Sequence, residues 1–452
     1  MVVSLRFDVV VVGAGSAGAV VASRLTERAD RTVLLLEAGP DHDSAATPPS
    51  IAGGSFFDAL VEPGRTWPHL LATRTAGQLP RPYARGRGVG GSSAVNAMLA
   101  LPGVPDDYDQ WQMRHGVDGW SWSDVAPWFD RIPIPLHPAR PDERGAVAAA
   151  LVEADATAEW ALLTRTADGR RASVNDVYLE AARGREGMVV RGGALVDRVL
   201  LEGNCAVGVQ LAGGEIIEAG AVVVAAGAVH SPAVLLRSGV SLAGIGTGLQ
   251  DHPSFPITIA LRAGYESVPH ALVVTALLRA THRHHHDLQV LALNDADPAA
   301  PGLGVLMGAL MQCESRGSVR LASADPTVDP IVDFDMLCDE RDIDGMNAVV
   351  ELLERIAHSE AVERIGEVLP YDPSERGVRA ALGDYVHACG TCRMGPVDHE
   401  LAVVDSMGKV HHHEQLWVCD ASVMPAVPRA NTHLPVVMIA ERMSARISEL
   451  VR

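Results

Sequence analysis

Gly13-Ala14-Gly15-Ser16-Ala17-Gly18 constrains this chain more than any other six residues. A Val-rich run, Phe7 to Val12, precedes it; Ala19 to Arg28 follows with helical apolar spacing, and Thr32 to Leu36 is again strand-like. Strand, turn, helix and strand make one βαβ unit. In such a unit the first glycine permits the tight turn, the second lets a pyrophosphate approach the backbone, and the third lets helix pack on strand. The helix N-terminus then faces the anion. Glu37, nineteen residues past Gly18 at the end of the second strand, is placed to accept from a ribose 2′-hydroxyl. With both strands and the acid present, the pattern reads as a dinucleotide cradle instead of a plain glycine turn. It does not by itself separate NAD from FAD.

A chain of 452 residues has room for two or three domains, and 48% hydrophobic against 21% charged residues leaves ample apolar surface for a core. The balance of 37 basic and 56 acidic residues, net −19, repels polyphosphate and excludes nucleic acid as a partner. Six widely spaced cysteines do not form a secreted disulfide framework, so a reducing compartment, the cytoplasm, is expected. The first apolar run leads straight into the glycine motif, so no signal peptide is expected. No stretch approaches the ~18 apolar residues of a spanning helix; membrane contact is expected to be peripheral or through a partner.

From Ser44 to Arg87 the chain is rich in Pro, Gly and Trp, which fits a long excursion over the surface or across a cofactor. A second glycine-dense loop, Gly86 to Ser93, follows. Val196 to Leu211 and Glu215 to Ala225 read as antiparallel strands feeding a buried strand, after which Gly227 turns the chain into a helix containing Ala233, Leu235 and Leu236. Ile257 to Phe334 fits a separate sheet, and Val436 to Val451 a closing amphipathic helix. No solenoid repeat is visible. The runs His282 to His286 and His411 to His413 lack a ligand spacing and read as solvated loops, so no metal site is assigned.

Five blocks, in order, closely resemble the glucose-methanol-choline (GMC) family of flavoproteins: Arg85 to Asn96 (RGRGVGGSSAVN), Gly227 to Val240, Leu249-Gln250-Asp251-His252-Pro253, His387 to Gly395 (HACGTCRMG), and Val418 to Pro425 (VCDASVMP). The resemblance is strong at both ends and weak in the middle. It implies an α/β (α+β) fold, with a Rossmann-like FAD-binding domain from residues 1–130, 188–253 and 385–452 and a smaller antiparallel-sheet substrate domain from 131–187 and 254–384. It implies bound FAD, with Gly13, Gly15, Ser16, Ala17, Gly18, Glu37 and Ala38 at the ADP half and Val196 near the adenine. Arg87, Gly90, Gly91, Ser92, Asn96 and Ala97 would lie along the pyrophosphate and isoalloxazine. Ala226, Asp420, Ala421, His433 and Leu434 complete the implied set. Some members link the flavin through a histidine just before the asparagine of the second glycine loop; here that position is Val95, which implies a non-covalent flavin.

In similar enzymes the residues matching His387 and His433 form a pair at the flavin face. Removing hydride from an alcohol carbon requires the hydroxyl proton to leave, and an imidazole can accept it; the second orients the alkoxide and stabilises its charge. The closing helix would aim its N-terminus at the pyrimidine end of the flavin, with Pro435 suiting the first turn. Cys389 and Cys392 form C-x-x-C with no second pair, and a structural role is expected. Asp251-His252-Pro253 reads as a turn with a side-chain hydrogen bond, not a catalytic dyad.

Family members commonly exceed 500 residues. The missing length falls between about Phe129 and Met188 and between about Pro253 and Leu310, where a substrate domain and lid would lie. A trimmed lid suits a bulky donor or a redox carrier that docks and leaves. The compact length resembles the branch associated with mycofactocin, which implies a reduced carrier as donor and a respiratory-chain component as electron acceptor. The leading reading is a dehydrogenase of CH–OH donors. An oxygen-using oxidase, a non-redox lyase that retains FAD, and an electron-transfer protein without its own substrate share the motifs.

Overall fold

A computed structural model describes residues 6–266, 272–294 and 302–451 of the chain. Strand Arg6–Val12 lies between parallel neighbours Val33–Leu36 and Ile216–Val224, and Met188–Arg191 adds a parallel edge beside Val33–Leu36. Val9, Val10 and Val11 are fully buried, as a parallel strand covered on both faces requires. Strand Ile216–Val224 is shared. Its last three residues pair in parallel with Leu416–Val418, while its first three pair antiparallel with Cys205–Leu211, which in turn pairs with Val196–Glu202. Val12, Leu36, Val224 and Val418 therefore end at one edge in register. The residues just beyond that edge build the site, as expected where parallel strands end together.

Helix Gly18–Leu25 packs against the closing helix, His433–Leu450. Arg24 donates to Glu441 through Nε at 2.9 Å and Nη2 at 2.7 Å, and the Tyr178 hydroxyl donates to Glu441 Oε1 at 2.7 Å. This two-pronged pair ties the end of the chain to its beginning. The closing helix starts at His433, earlier than the apolar pattern from Val436 indicates, because Pro435 needs no N–H partner in a first turn.

A second, six-stranded antiparallel sheet runs in the order Gly366–Val368, Ser254–Leu261, Leu303–Leu310, Leu288–Leu293, Val274–Ala280, Glu159–Trp160. Helices Ala146–Ala154 and Glu340–Ala357 pack against it. Strands Gly317–Arg320 and Ile331–Asp333 leave this sheet and join a five-stranded one with Thr247–Leu249, Leu71–Thr73 and Arg81–Pro82. The excursion after Ser44 is thus partly built into a sheet, besides forming the short helices Pro49–Ala52 and Phe56–Val61.

Candidate active site

At the strand edge, Gly13 N donates to Leu36 O at 2.7 Å and Ala14 N to Glu37 Oε2 at 2.8 Å. Glu37 Oε1 accepts from Gly39 N and Gly88 N, both at 2.8 Å. The buried carboxylate thereby ties the first glycine loop to the second, a role its spacing did not reveal. A carboxylate offers about four lone-pair positions, so an acceptor remains for a ribose hydroxyl.

The glycines divide by function. A Cβ on Gly18 would stand 1.9 Å from Gly13 O, and one on Gly13, whose φ is +100°, 2.6 Å from Ala225 O. A Cβ on Gly91 would meet Gly15 Cα at 2.6 Å, so the two loops touch there. Gly15 differs: its Cβ would have no neighbour nearer than 3.9 Å. The protein's own packing does not require glycine at this position. Gly15 opens instead onto a cavity of about 510 Å³, leaving the close backbone approach that a pyrophosphate uses.

That cavity runs from Val196 past both glycine loops to His387 and His433. All the residues expected from the sequence line it except Gly18, Arg87, Gly90 and Leu434. Gly18 serves packing, and Gly90 turns the second loop at φ +89°. Arg87 Nη2 donates to Ala38 O at 2.7 Å with its guanidinium over the Trp67 ring, and Leu434 is buried in the closing helix. Asp420 lines the cavity while its oxygens accept from Gly227 N (2.8 Å), Ser231 Oγ (2.5 Å) and Ser422 N (2.7 Å).

At the other end, Asp251 organises the segment that carries His387. Its Oδ1 accepts from His252 N (2.7 Å) and Tyr385 N (3.2 Å), and its Oδ2 from His387 N (2.9 Å) and the Tyr83 hydroxyl (3.0 Å). The expected turn hydrogen bond at Asp251 is present, but His252 does more than turn the chain. Its Nδ1 stands 3.0 Å from His387 Nδ1, and its Nε2 stands 3.1 Å from Pro428 O.

The carbonyl only accepts, so a neutral His252 carries its proton on Nε2 and presents a bare Nδ1. His387 must then donate through Nδ1, which leaves the lone pair on Nε2. Asn431 Nδ2 lies 3.4 Å from that nitrogen, and Asn431 lines the cavity beside it. Pro428 is held through its neighbour Arg429, whose Nε donates to Asp107 at 2.6 Å and Nη2 to Asp106 at 2.6 Å. Asp251, His252 and His387 are close enough to resemble a metal cluster, with donor atoms within 4.8 Å, but these hydrogen bonds account for the grouping.

His433 is the first residue of the closing helix; it lines the cavity with Thr432 and Val436, so the helix's first turn faces the void. Both ring nitrogens are buried without a partner. Arg171, 1% exposed and near enough for its charge to act on His433, donates to Ile51 O (3.0 Å), Asn96 O (2.6 Å) and Asn96 Oδ1 (2.8 Å). Burial first, and the Arg171 charge second, push His433 down to about 4. Burial likewise lowers His252 to about 4 and holds His387 well below the usual imidazole range, with His252 and Arg85 adding to the effect. Cys389 and Cys392 are buried, and burial raises both thiols, so neither offers a thiolate.

Sequence reasoning missed His252, Asn431 and Arg171. His252 sat in a block read as a turn, Asn431 two residues before His433 had no motif of its own, and Arg171 lies in the middle stretch where the resemblance fades.

A nucleotide cradle at the C-terminal edge of a parallel sheet, opening onto a cavity that His387 and His433 also line, defines an oxidoreductase of the dinucleotide-binding class. Family models described as GMC oxidoreductase match residues 7–166, 160–254 and 313–440, and the chain belongs to that family. FAD is its cofactor. The chain is 31% identical to a 5-(hydroxymethyl)furfural oxidase of Methylovorus sp. over 533 aligned positions, covering 98% of both chains. It is 30% identical to an oxygen-dependent choline dehydrogenase of Paraburkholderia phytofirmans, covering 98% of this chain and 94% of that one. The crystal structure of pyridoxine 4-oxidase from Mesorbium loti superposes with a TM-score of 0.88 at 28% identity, over 97% of this chain and 99% of that one. The 533 aligned positions exceed this chain's 452 residues by 81, so the relative carries interior segments that this chain lacks. Among the described residues no helix is long and apolar enough to cross a membrane.

Proposed function

We propose that this protein oxidises a CH–OH donor, with His387 Nε2 accepting the hydroxyl proton and His433 binding the same oxygen. The observation that carries the reading is the tautomer imposed on His387: Pro428 O fixes His252, His252 fixes Nδ1 of His387, and the remaining lone pair, on Nε2, faces Asn431 Nδ2 at 3.4 Å on the cavity wall. Bound FAD would supply the hydride acceptor, held without a covalent bond since Val95 stands where a linking histidine would be. His433 and Asn431 would stabilise the alkoxide charge, and the positive end of the closing helix would face the pyrimidine end of the flavin.

The reading is a dehydrogenase more than an oxidase. Support comes from the shortened interior, which leaves a face on which a carrier can dock. The same feature supports reduced mycofactocin as an alternative donor and a respiratory-chain component as acceptor. Six free cysteines, four of them buried, support a reducing compartment such as the cytoplasm.

Anaerobic titration of the holoenzyme with primary alcohols, choline, sugars and reduced mycofactocin, followed by flavin absorbance, tests the reading. Bleaching by a donor, slowed about 10²–10⁴-fold in His387→Ala, is expected. Unchanged turnover in His387→Ala would overturn it. Slow reoxidation on mixing with oxygen marks the dehydrogenase and fast reoxidation the oxidase.

A further inference from the structure

We propose that the alcohol taken by this site is a neutral molecule with an aromatic or aliphatic body, and not a quaternary ammonium or a polyol. The proposal rests on the function proposed above. It is carried by the side chains and charges around the two histidines.

Leu291 and Leu293 project from one face of the antiparallel sheet, since side chains two apart on a strand share a face. Met307 pairs with Leu291, and Val274 with Leu293, so four apolar side chains form one patch. All four line the cavity, as does Phe56 from helix Phe56–Val61. They belong to an apolar cluster around Met98 and Tyr385 that is separate from the main core. Leu293, Met307 and Phe56 are only partly buried, so apolar surface is left facing the void.

Among the described residues, no carboxylate on the cavity wall is free to meet a cation. Glu37 and Asp420 hold the backbone and hydroxyl groups described above, and Asp384 Oδ2 accepts from Arg74 Nε at 2.7 Å. Two guanidiniums near the histidines have no carboxylate within 4.0 Å among the described residues. Arg85 lines the cavity with its Nε on Ala84 O, and Arg171 is held by carbonyl and amide oxygens alone. Both guanidiniums add positive charge near the histidines, while the carboxylate nearest His387, Asp251, is already taken by four donors. An ammonium would lose water there without gaining a counter-charge, and a polyol would leave hydroxyls unpaired on the apolar patch. A neutral alcohol loses little, and its developing alkoxide meets the favourable field.

Anaerobic flavin reduction of the holoenzyme by ethanol through hexanol, benzyl alcohol, choline and glycerol tests the proposal. Expected is a rise in kcat/KM of about fourfold per methylene, the equivalent of ~0.8 kcal/mol for each buried CH₂, with benzyl alcohol above choline by about 100-fold. A flat series, or choline equal to benzyl alcohol, overturns it. Toluene and tetramethylammonium, neither of which carries a hydroxyl, separate the two levels of the argument: toluene should perturb the flavin spectrum and tetramethylammonium should not. Perturbation by toluene without reduction by any alcohol would remove the proposed reaction and leave the apolar site standing. Reduction by choline in preference to all others would do the reverse.

Discussion

His252 Nδ1 stands 3.0 Å from His387 Nδ1, and because Pro428 O occupies the other side of the His252 ring, one tautomer of each imidazole satisfies both contacts. Replacing His252 with Leu removes the acceptor that holds the His387 proton on Nδ1, so the ring can carry it on Nε2 and lose its basic lone pair at the cavity. We expect anaerobic flavin reduction to slow by about 100-fold, the scale seen when a reacting group is displaced by about an ångström, with FAD content unchanged. An unaltered rate would show that His252 does not set the tautomer.

Acid should stop the reaction well below neutrality. His387, the proposed base, is held well below the ordinary imidazole value and stays unprotonated above it, so reduction rates should be level from pH 8 to 6 and fall only at lower pH, with His433 titrating at about 4. In Arg171→Met the lesser of the two causes that lower His433 is removed, and the part of the acid limb that His433 sets should move upward. The same shift has a stability consequence. Between the unfolded imidazole value near 6.5 and the folded value of about 4, the unfolded chain binds more protons, so stability rises with pH across this window and is lost on acidification. Thermal melts from pH 4 to 8 should show this slope, and His433→Asn should flatten it.

Gly15 and Gly18 should part company when each is changed to alanine. The Gly15→Ala Cβ meets nothing nearer than 3.9 Å, so the apoprotein should melt within about 0.5 kcal/mol of the parent while FAD affinity falls. The Gly18→Ala Cβ would lie 1.9 Å from Gly13 O, so folding itself should suffer. Comparing FAD content with urea denaturation of the apoprotein decides whether Gly15 serves the cofactor.

Glu441, 1% exposed, receives both Arg24 and Tyr178. Glu441→Ala strands a guanidinium and a hydroxyl between the first and last helices. Breaking a buried pair on one side costs about 3–5 kcal/mol; with Arg24 partly exposed, the low end is expected. A loss under about 1 kcal/mol in urea denaturation would show that water reaches the pair.

Local patterns made the nucleotide half readable. The strand at Phe7 to Val12, the glycine turn, the acid at Glu37 and the hairpin feeding Ile216–Val224 stand where their periodicity and turn residues put them. The closing helix was legible except for its first turn, which Pro435 disguised. The excursion after Ser44 was not: its strands Leu71–Thr73 and Arg81–Pro82 are two or three residues long, and the first joins a sheet by pairing with Ile331–Asp333, more than two hundred residues away, while the second pairs with the first.

The sequence alone determined that a dinucleotide-binding turn lies at the edge of a parallel sheet, because a glycine turn between strand and helix is a short-range device whose stereochemistry is complete within some thirty residues. It also supplied His387 and His433 through their blocks. Only the tertiary structure decided which nitrogen of His387 meets His252 and which lies beside Asn431, since that depends on His252, on the Pro428 carbonyl and on the Asp107–Arg429 pair behind it. It alone showed Arg171 near enough for its charge to act on His433, and an apolar patch made of three strands. Proton position and cavity polarity are set by groups distant in sequence that meet only when the core closes, and no local pattern records such meetings.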